Sequence, residues 1–168
     1  MANFRDLPAY KFGLEGENKV KQMLRESGAM LIHMDDYTPD GSPRIENIVS
    51  PDFLVVNKNS LFVEVKTKTE ATLHNKTGKY EHGFGKRLYH EYIHMENKTG
   101  KEVWVVFVVV SRDEILCCRP SKTPINHVWD TTRLKGVNLG GMIYFAVEDL
   151  HPLSVLLSRI RDTKKSKP

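Results

Sequence analysis

The sequence predicts one α/β domain, a mixed central sheet flanked by helices. Three observations carry that expectation. Residues 10–27 and 150–160 place apolar or small residues at spacings of three and four, the period of a helix with one buried face. Residues 52–56 and 61–65 are β-rich runs on either side of Asn57-Lys58-Asn59-Ser60, a hairpin signal. Residues 103–110 are nearly continuously apolar, as in a strand covered on both faces.

Each element follows in order. The helix over 10–27 stops at Gly28, a residue suited to the left-handed turn at a helix end. Residues 29–33 form a short apolar strand, and 35–50, rich in Asp, Pro, Gly and Ser, form a loop. The hairpin comes next, then a polar stretch over 67–85. A short helix over 86–96 is stopped by Asn97-Lys98-Thr99-Gly100. The apolar strand over 103–110 turns at Ser111-Arg112-Asp113 into a strand over 114–118. Residues 120–141 read as loop, 142–147 as a late strand and 150–160 as a closing amphipathic helix. No repeat or linker divides the chain, so 1–162 is expected as a single domain and 163–168 as a basic, disordered tail.

Composition narrows the function. A chain of 168 residues can bury a core without staples. No run approaches the ~18 apolar residues of a membrane span, and the first residues lack the basic-then-apolar pattern of a secretory signal. Cys117 and Cys118 are adjacent, which offers no disulfide framework and points to a reducing, cytoplasmic setting. The formal charge is +4, and Lys66, Lys68, Lys76, Lys79, Lys86 and Arg87 face only Glu70 and Glu81 in their stretch. That placement suits a nucleic-acid partner, with Lys68, Lys86, Arg87 and His90 as expected contacts.

The chemistry centres on Asp52, Glu64 and Lys66. Side chains alternate along a strand, so Glu64 and Lys66 share one face while Val63 and Val65 take the other. Charges at alternate positions of Leu-Phe-Val-Glu-Val-Lys cost burial energy that a purely structural strand would avoid. With a three-residue loop over 58–60, Asn57 faces Leu61 and Asp52 faces Lys66. Asp52 and Glu64 then lie diagonally on one face; a four-residue loop would turn Asp52 away unless a bulge corrected it. Hard carboxylate oxygens bind Mg²⁺ or Mn²⁺, and a lysine beside them can stabilise charge on a phosphate. In the first helix Gly13, Gly16, Val20, Met23, Leu24 and Ser27 form the core-facing stripe, and Glu17 sits on it. An acid there needs a partner, which a metal site would supply and which an ordinary i,i+4 pair with Lys21 would supply as well.

Gly13-Leu14-Glu15-Gly16-Glu17 opening a helix, then Pro51-Asp52, then Glu64-Val65-Lys66 on a strand, resembles the PD-(D/E)XK nuclease superfamily. Archaeal Holliday junction resolvases and many restriction and repair endonucleases belong to it. The resemblance covers roughly the first two-fifths of the chain and implies a restriction-endonuclease-like core. It also implies Asp52 and Glu64 as metal ligands, with the Val65 carbonyl assisting, Lys66 as the catalytic lysine and Glu17 as the helix acid. DNA as substrate, branched or duplex, follows from the resemblance alone. Cutting both strands of a duplex calls for two sites or two events, which a homodimer would meet.

Two other readings compete. His90-Glu91-Tyr92-Ile93-His94 matches the H-E-x-x-H pattern of zinc peptidases, with Glu114 as a conceivable third ligand. The helical wheel opposes it: Leu88, Tyr89, Tyr92, Ile93 and Met95 form the apolar side, and His90 and His94 fall with Lys86 and Arg87 on the basic side. A nucleic-acid-binding module that keeps the fold without turnover is the other. His82 follows the Glu64–Lys66 strand and could reach the site by loop, though it reads first as a loop histidine without a task; Trp104 and Trp129 read as packing residues and Phe145 as core.

Overall fold

The computed structural model describes residues 7–34, 50–57, 60–130, 133–134, 137–138 and 140–161, with side chains of 133–138 left aside. The expected loop over 35–50, all but Ser50, and the expected tail over 163–168 lie outside the described residues.

Helix α1 (Pro8–Glu26) begins with a proline, whose fixed φ suits a first helical turn, and ends before Gly28 at φ 81°. Gly16, Val20 and Leu24 are its buried residues, as the stripe predicts. Strands β1 (Met30–His33), β2 (Phe53–Val56) and β3 (Leu61–Lys68) follow as an antiparallel meander. The hairpin ladder pairs Phe53 with Val63 and Val55 with Leu61. That differs by two residues from the three-residue-loop expectation. An even shift keeps every side chain on its expected face, because the strand period is two. Asp52 therefore comes level with Glu64 rather than Lys66.

The polar stretch over 67–85 is not loop but two strands, β4 (Thr72–His74) and β5 (Lys79–Gly85), joined by a turn. Helix α2 (Lys86–Thr99) follows directly and runs three residues beyond expectation. Its stop is Gly100, in the left-handed conformation at φ 66°, and not the polar residues before it. The helix carries the chain back so that β6 (Val103–Val109) runs parallel to β3. All seven residues of β6 are buried. Strand β7 (Glu114–Cys118) turns back through Asp113.

The stretch over 120–141 also holds strands: β8 (His127–Trp129), β9 (Arg133–Leu134) and β10 (Val137–Asn138). Strand β11 (Met142–Ala146) precedes a short edge strand, β12 (His151–Pro152), and helix α3 (Leu153–Arg161). Among the described residues no helix is long and apolar enough to cross a membrane.

The strands form a six-stranded mixed sheet in the order β1-β2-β3-β6-β7-β12, a four-stranded antiparallel sheet β4-β5-β11-β8, and the small β9–β10 ribbon. Two cores separate the layers. Val20 and Leu24 of α1 and Leu153, Leu156 and Ile160 of α3 pack with Val63, Val65, Val106 and Val108 on one face of the six-stranded sheet. Tyr92 and Met95 of α2, Phe84 of β5 and Phe145 of β11 pack with Val105 and Phe107 on the other. Alternation along β6 thus feeds both cores, the physical reason its sequence is apolar throughout. Cys117 and Cys118 are buried free thiols; burial pushes the first up to about 11 and the second well above the usual thiol range.

Candidate active site

The site forms where the β2–β3 ladder ends. In an antiparallel ladder every second residue turns both N–H and C=O toward its partner strand, and Val65 is the first such residue of β3 beyond the Phe53–Val63 pair. Its N–H finds no strand acceptor. The Asp52 carboxylate takes over, with Oδ2 accepting Val65 N–H at 2.6 Å. The Asp52 carbonyl in turn accepts Met34 N–H at 3.0 Å, fixing the residue from β1's side. The Val65 carbonyl points to the same opened edge as its N–H.

Glu64 lies on the α2 face of β3, with only 5% of its surface exposed. Its Oε1 accepts from Lys66 Nζ at 2.5 Å. Lys66 is half-buried and Lys68 follows it on the same face, so beyond Phe62 a line of charged groups, Glu64, Lys66 and Lys68, leaves the core. Glu17 arrives from α1. That helix approaches β3 closely because Gly16 has no side chain: a Cβ there would lie 2.0 Å from Thr67 Oγ1. Thr67 Oγ1 also donates to the Gly13 carbonyl at 3.3 Å.

Electrostatics tie these groups together. Burial, the Glu64 carboxylate and the Glu17 carboxylate push Asp52 up to about 8, against the opposing pull of the Val65 N–H and Lys66. Lys68 is lowered by burial and by Lys66. Tyr92 is wholly buried, and burial together with Glu64 holds its phenol protonated, above its ordinary range.

Sequence reasoning missed two residues here. Tyr92 was assigned to the apolar side of α2, which is right for its ring but not for its hydroxyl beside Glu64; a tyrosine on a buried stripe is the signal. His82 is not an idle loop residue: it is buried on β5 with its ring stacked on Phe107 at 5.3 Å. Burial, then the charges of Lys68 and Arg112, lower it to about 4, so it stays neutral.

The expected nucleic-acid contacts divide. Lys68 belongs with the acid cluster, whereas Lys86, Arg87 and His90 lie on α2. Lys86 pairs with Asp130 at 2.6 Å and Arg87 with Glu91 at 2.7 Å; His90 is exposed. His90 and His94 sit on the outer face of α2, as the wheel predicts. Among the described residues the set of three ligand groups within 4.8 Å of one another is His74, Glu81 and His127; no third group joins the His90–His94 pair. Trp104 is core packing, with Nε1 donating to Glu102 Oε2 at 2.9 Å, and Phe145 is fully buried. Trp129 is 41% exposed on β8, not packed as expected.

No family model and no curated protein sequence matches the chain. Solved structures do. One is the Holliday junction resolvase Hjc from the archaeal hyperthermophile Archaeoglobus fulgidus, with TM-score 0.56 and 13% identity, covering 86% of this chain and 99% of that one. Another is D212, a nuclease from a fusselovirus, with TM-score 0.52 and 11% identity, covering 99% of this chain and 98% of that one. The chain thus shares the α/β fold of these two nucleases, a mixed central sheet flanked by three helices.

Proposed function

We propose that this protein is a Mg²⁺- or Mn²⁺-dependent nuclease that hydrolyses phosphodiester bonds, with DNA as its substrate. One observation carries the reading most: the Asp52–Val65 hydrogen bond, which holds a half-buried aspartate level with Glu64, beside Lys66, at the open end of a ladder. The fold shared with two nucleases, one of them described as a Holliday junction resolvase, supports the same conclusion.

The donor set fits a hard divalent cation. Asp52, Glu64, the Val65 carbonyl and Glu17 offer oxygen alone, and the burial and neighbouring carboxylates that raise Asp52 are what a bound cation would offset. When bound, such an ion would acidify the attacking water and shield the scissile phosphate. The remaining work falls to the chain itself. Lys66 Nζ, held by Glu64 Oε1, is placed to donate to a phosphate oxygen as charge builds there. Lys68 adds a second positive charge on the same face. Lys86, Arg87 and His90 on α2 extend the contact along the phosphate backbone. A homodimer would bring two such sites to a duplex.

The test incubates the purified chain with branched, duplex and single-stranded DNA and with RNA, each under Mg²⁺, Mn²⁺ or EDTA. Cleavage that needs the metal and disappears in Lys66→Ala is the expected result. Absence of metal-dependent cleavage on every substrate overturns the proposal.

A further inference from the structure

The four-stranded sheet holds a second cluster of ligating groups, drawn from positions far apart in sequence. His74 ends β4, Glu81 lies on β5 and His127 opens β8; one ligand atom from each lies within 4.8 Å of the other two. Strands β4 and β8 are opposite edges of that sheet, so the sheet curls to bring the two histidines together. Their rings stack with centroids 4.0 Å apart and planes 9° from parallel, and His127 stacks in turn on Tyr144 at 4.9 Å.

Glu81 gives the cluster its purpose. Its side chain is 2% exposed. Asn126 Nδ2 donates to Oε2 at 2.7 Å and His127 Nδ1 lies 3.1 Å from Oε1, while among the described residues no lysine or arginine pairs with it. A buried carboxylate needs compensating positive charge. The His127 imidazole and the Asn126 amide offer it hydrogen bonds in place of a fixed positive charge. A divalent cation satisfies all three groups at once, taking the imidazoles neutral and the carboxylate ionised.

We propose that His74, Glu81 and His127 form a binding site for a zinc-class divalent transition metal, distinct from the acid cluster on the six-stranded sheet. Two imidazoles and one carboxylate select such ions over Mg²⁺, and three protein ligands leave a fourth position open. The supporting hydrogen bonds are in place. Asn126 orients Glu81, and Thr77 Oγ1, 2.9 Å from His74 Nδ1, leaves His74 Nε2 for the metal. Coordination lies in an imidazole's plane, so binding tilts the stacked rings apart. His74 is half-buried at the end of β4, next to the exposed turn over 75–78. The ion then ties the β4–β5 turn to β8 and stiffens the sheet that leads through Gly85 into α2.

The experiment titrates the full chain with Zn²⁺ against a chromophoric chelator in excess Mg²⁺, and records the visible spectrum with Co²⁺ in its place. The expected result is one Zn²⁺ per chain, retained in Mg²⁺, with a tetrahedral Co²⁺ spectrum. His127→Ala and His74→Ala should weaken Zn²⁺ binding at least tenfold, while Asp52→Asn and His94→Ala leave it unchanged. His74 stands next to an exposed turn, so His74→Ala keeps the comparison in a folded protein, which its far-UV spectrum checks. Failure of folded wild type to hold Zn²⁺ against the chelator overturns the proposal. So does loss of binding in Asp52→Asn or His94→Ala with His127→Ala unaffected.

Discussion

Asp52 and Val65 are joined by a hydrogen bond where their strands have stopped pairing, Asp52 one residue and Val65 two residues past the Phe53–Val63 pair: Oδ2 accepts the Val65 N–H at 2.6 Å. The side chain stands in for a missing backbone acceptor. It is thereby fixed in a half-buried place that its charge alone would disfavour, since desolvation and then Glu64 and Glu17 oppose its ionisation. Structure and chemistry compete at this residue, and the predictions follow from which side a change relieves.

Asp52→Asn removes the repelled charge while an amide oxygen can still accept from Val65. Without divalent metal the variant should be more stable than wild type, by roughly 1–3 kcal/mol. Added Mg²⁺ should raise the melting temperature of wild type but not of the variant, and cleavage should fall about 10²-fold or more. Thermal melts with and without Mg²⁺ read both effects; an unstable variant in EDTA would contradict the electrostatic account.

Lys66→Met keeps the aliphatic stem and deletes the ammonium that Glu64 Oε1 holds at 2.5 Å. Glu64 is then buried without its cation, so metal-free stability should drop by about 1–3 kcal/mol. Mg²⁺ should recover part of that loss, because it supplies charge to the same carboxylate. Turnover should stay about 10²–10³-fold down even at saturating Mg²⁺, which single-turnover cleavage measures.

Much of this arrangement was legible in the chain, for reasons particular residues make plain. Alternation in Leu61–Lys68 placed Glu64 and Lys66 on one face, and a register error of two residues could not move them, since only odd shifts change faces. The stripe Gly16, Val20, Leu24 appeared as expected because one helix face meets one core. Strands β4, β5 and β8 were not legible. Their residues, such as Lys79, Tyr80 and His127, are polar or amphipathic, and they become strand through pairing, β5 and β8 with β11 and β4 with β5, more than through local preference. The His74–Glu81–His127 cluster depends on that long-range pairing, so no spacing in the sequence announces it.

Gly16→Ala tests the closeness of α1 to β3. The added Cβ would meet Thr67 Oγ1 at 2.0 Å and Thr67 Cβ at 3.1 Å, so helix or strand must shift. Destabilisation of about 1–3 kcal/mol is expected, with a further loss of Mg²⁺ affinity as Glu17 moves with the helix. Adding Thr67→Ala removes the closest atom and should return part of the stability. Denaturant unfolding of the two single variants and the double variant gives the coupling; strict additivity would show that the contact does not limit the approach.

Glu102 supplies the pH dependence. It precedes β6, and its carboxylate accepts from Trp104 Nε1 at 2.9 Å, Arg159 NH2 at 2.7 Å and Arg119 NH1 at 3.2 Å, linking α3 to the central sheet. Burial pushes this carboxyl up, but the hydrogen bonds from Arg159 and Trp104 and the charges of Arg159 and Arg119 outweigh that and hold it below the usual glutamate range. With its folded value below its unfolded one, the unfolded chain binds the proton more readily, so stability rises with pH across that interval. The contribution is complete above the ordinary glutamate value of about 4.3 and is lost as pH falls through the lower folded value. Glu102→Gln should therefore cost about 1–2 kcal/mol at pH 7 and flatten this part of the acid limb. Urea unfolding of wild type and variant from pH 7 down to pH 3 measures the difference. A gap that stays constant over that range would assign Glu102 a packing role in place of a charged one.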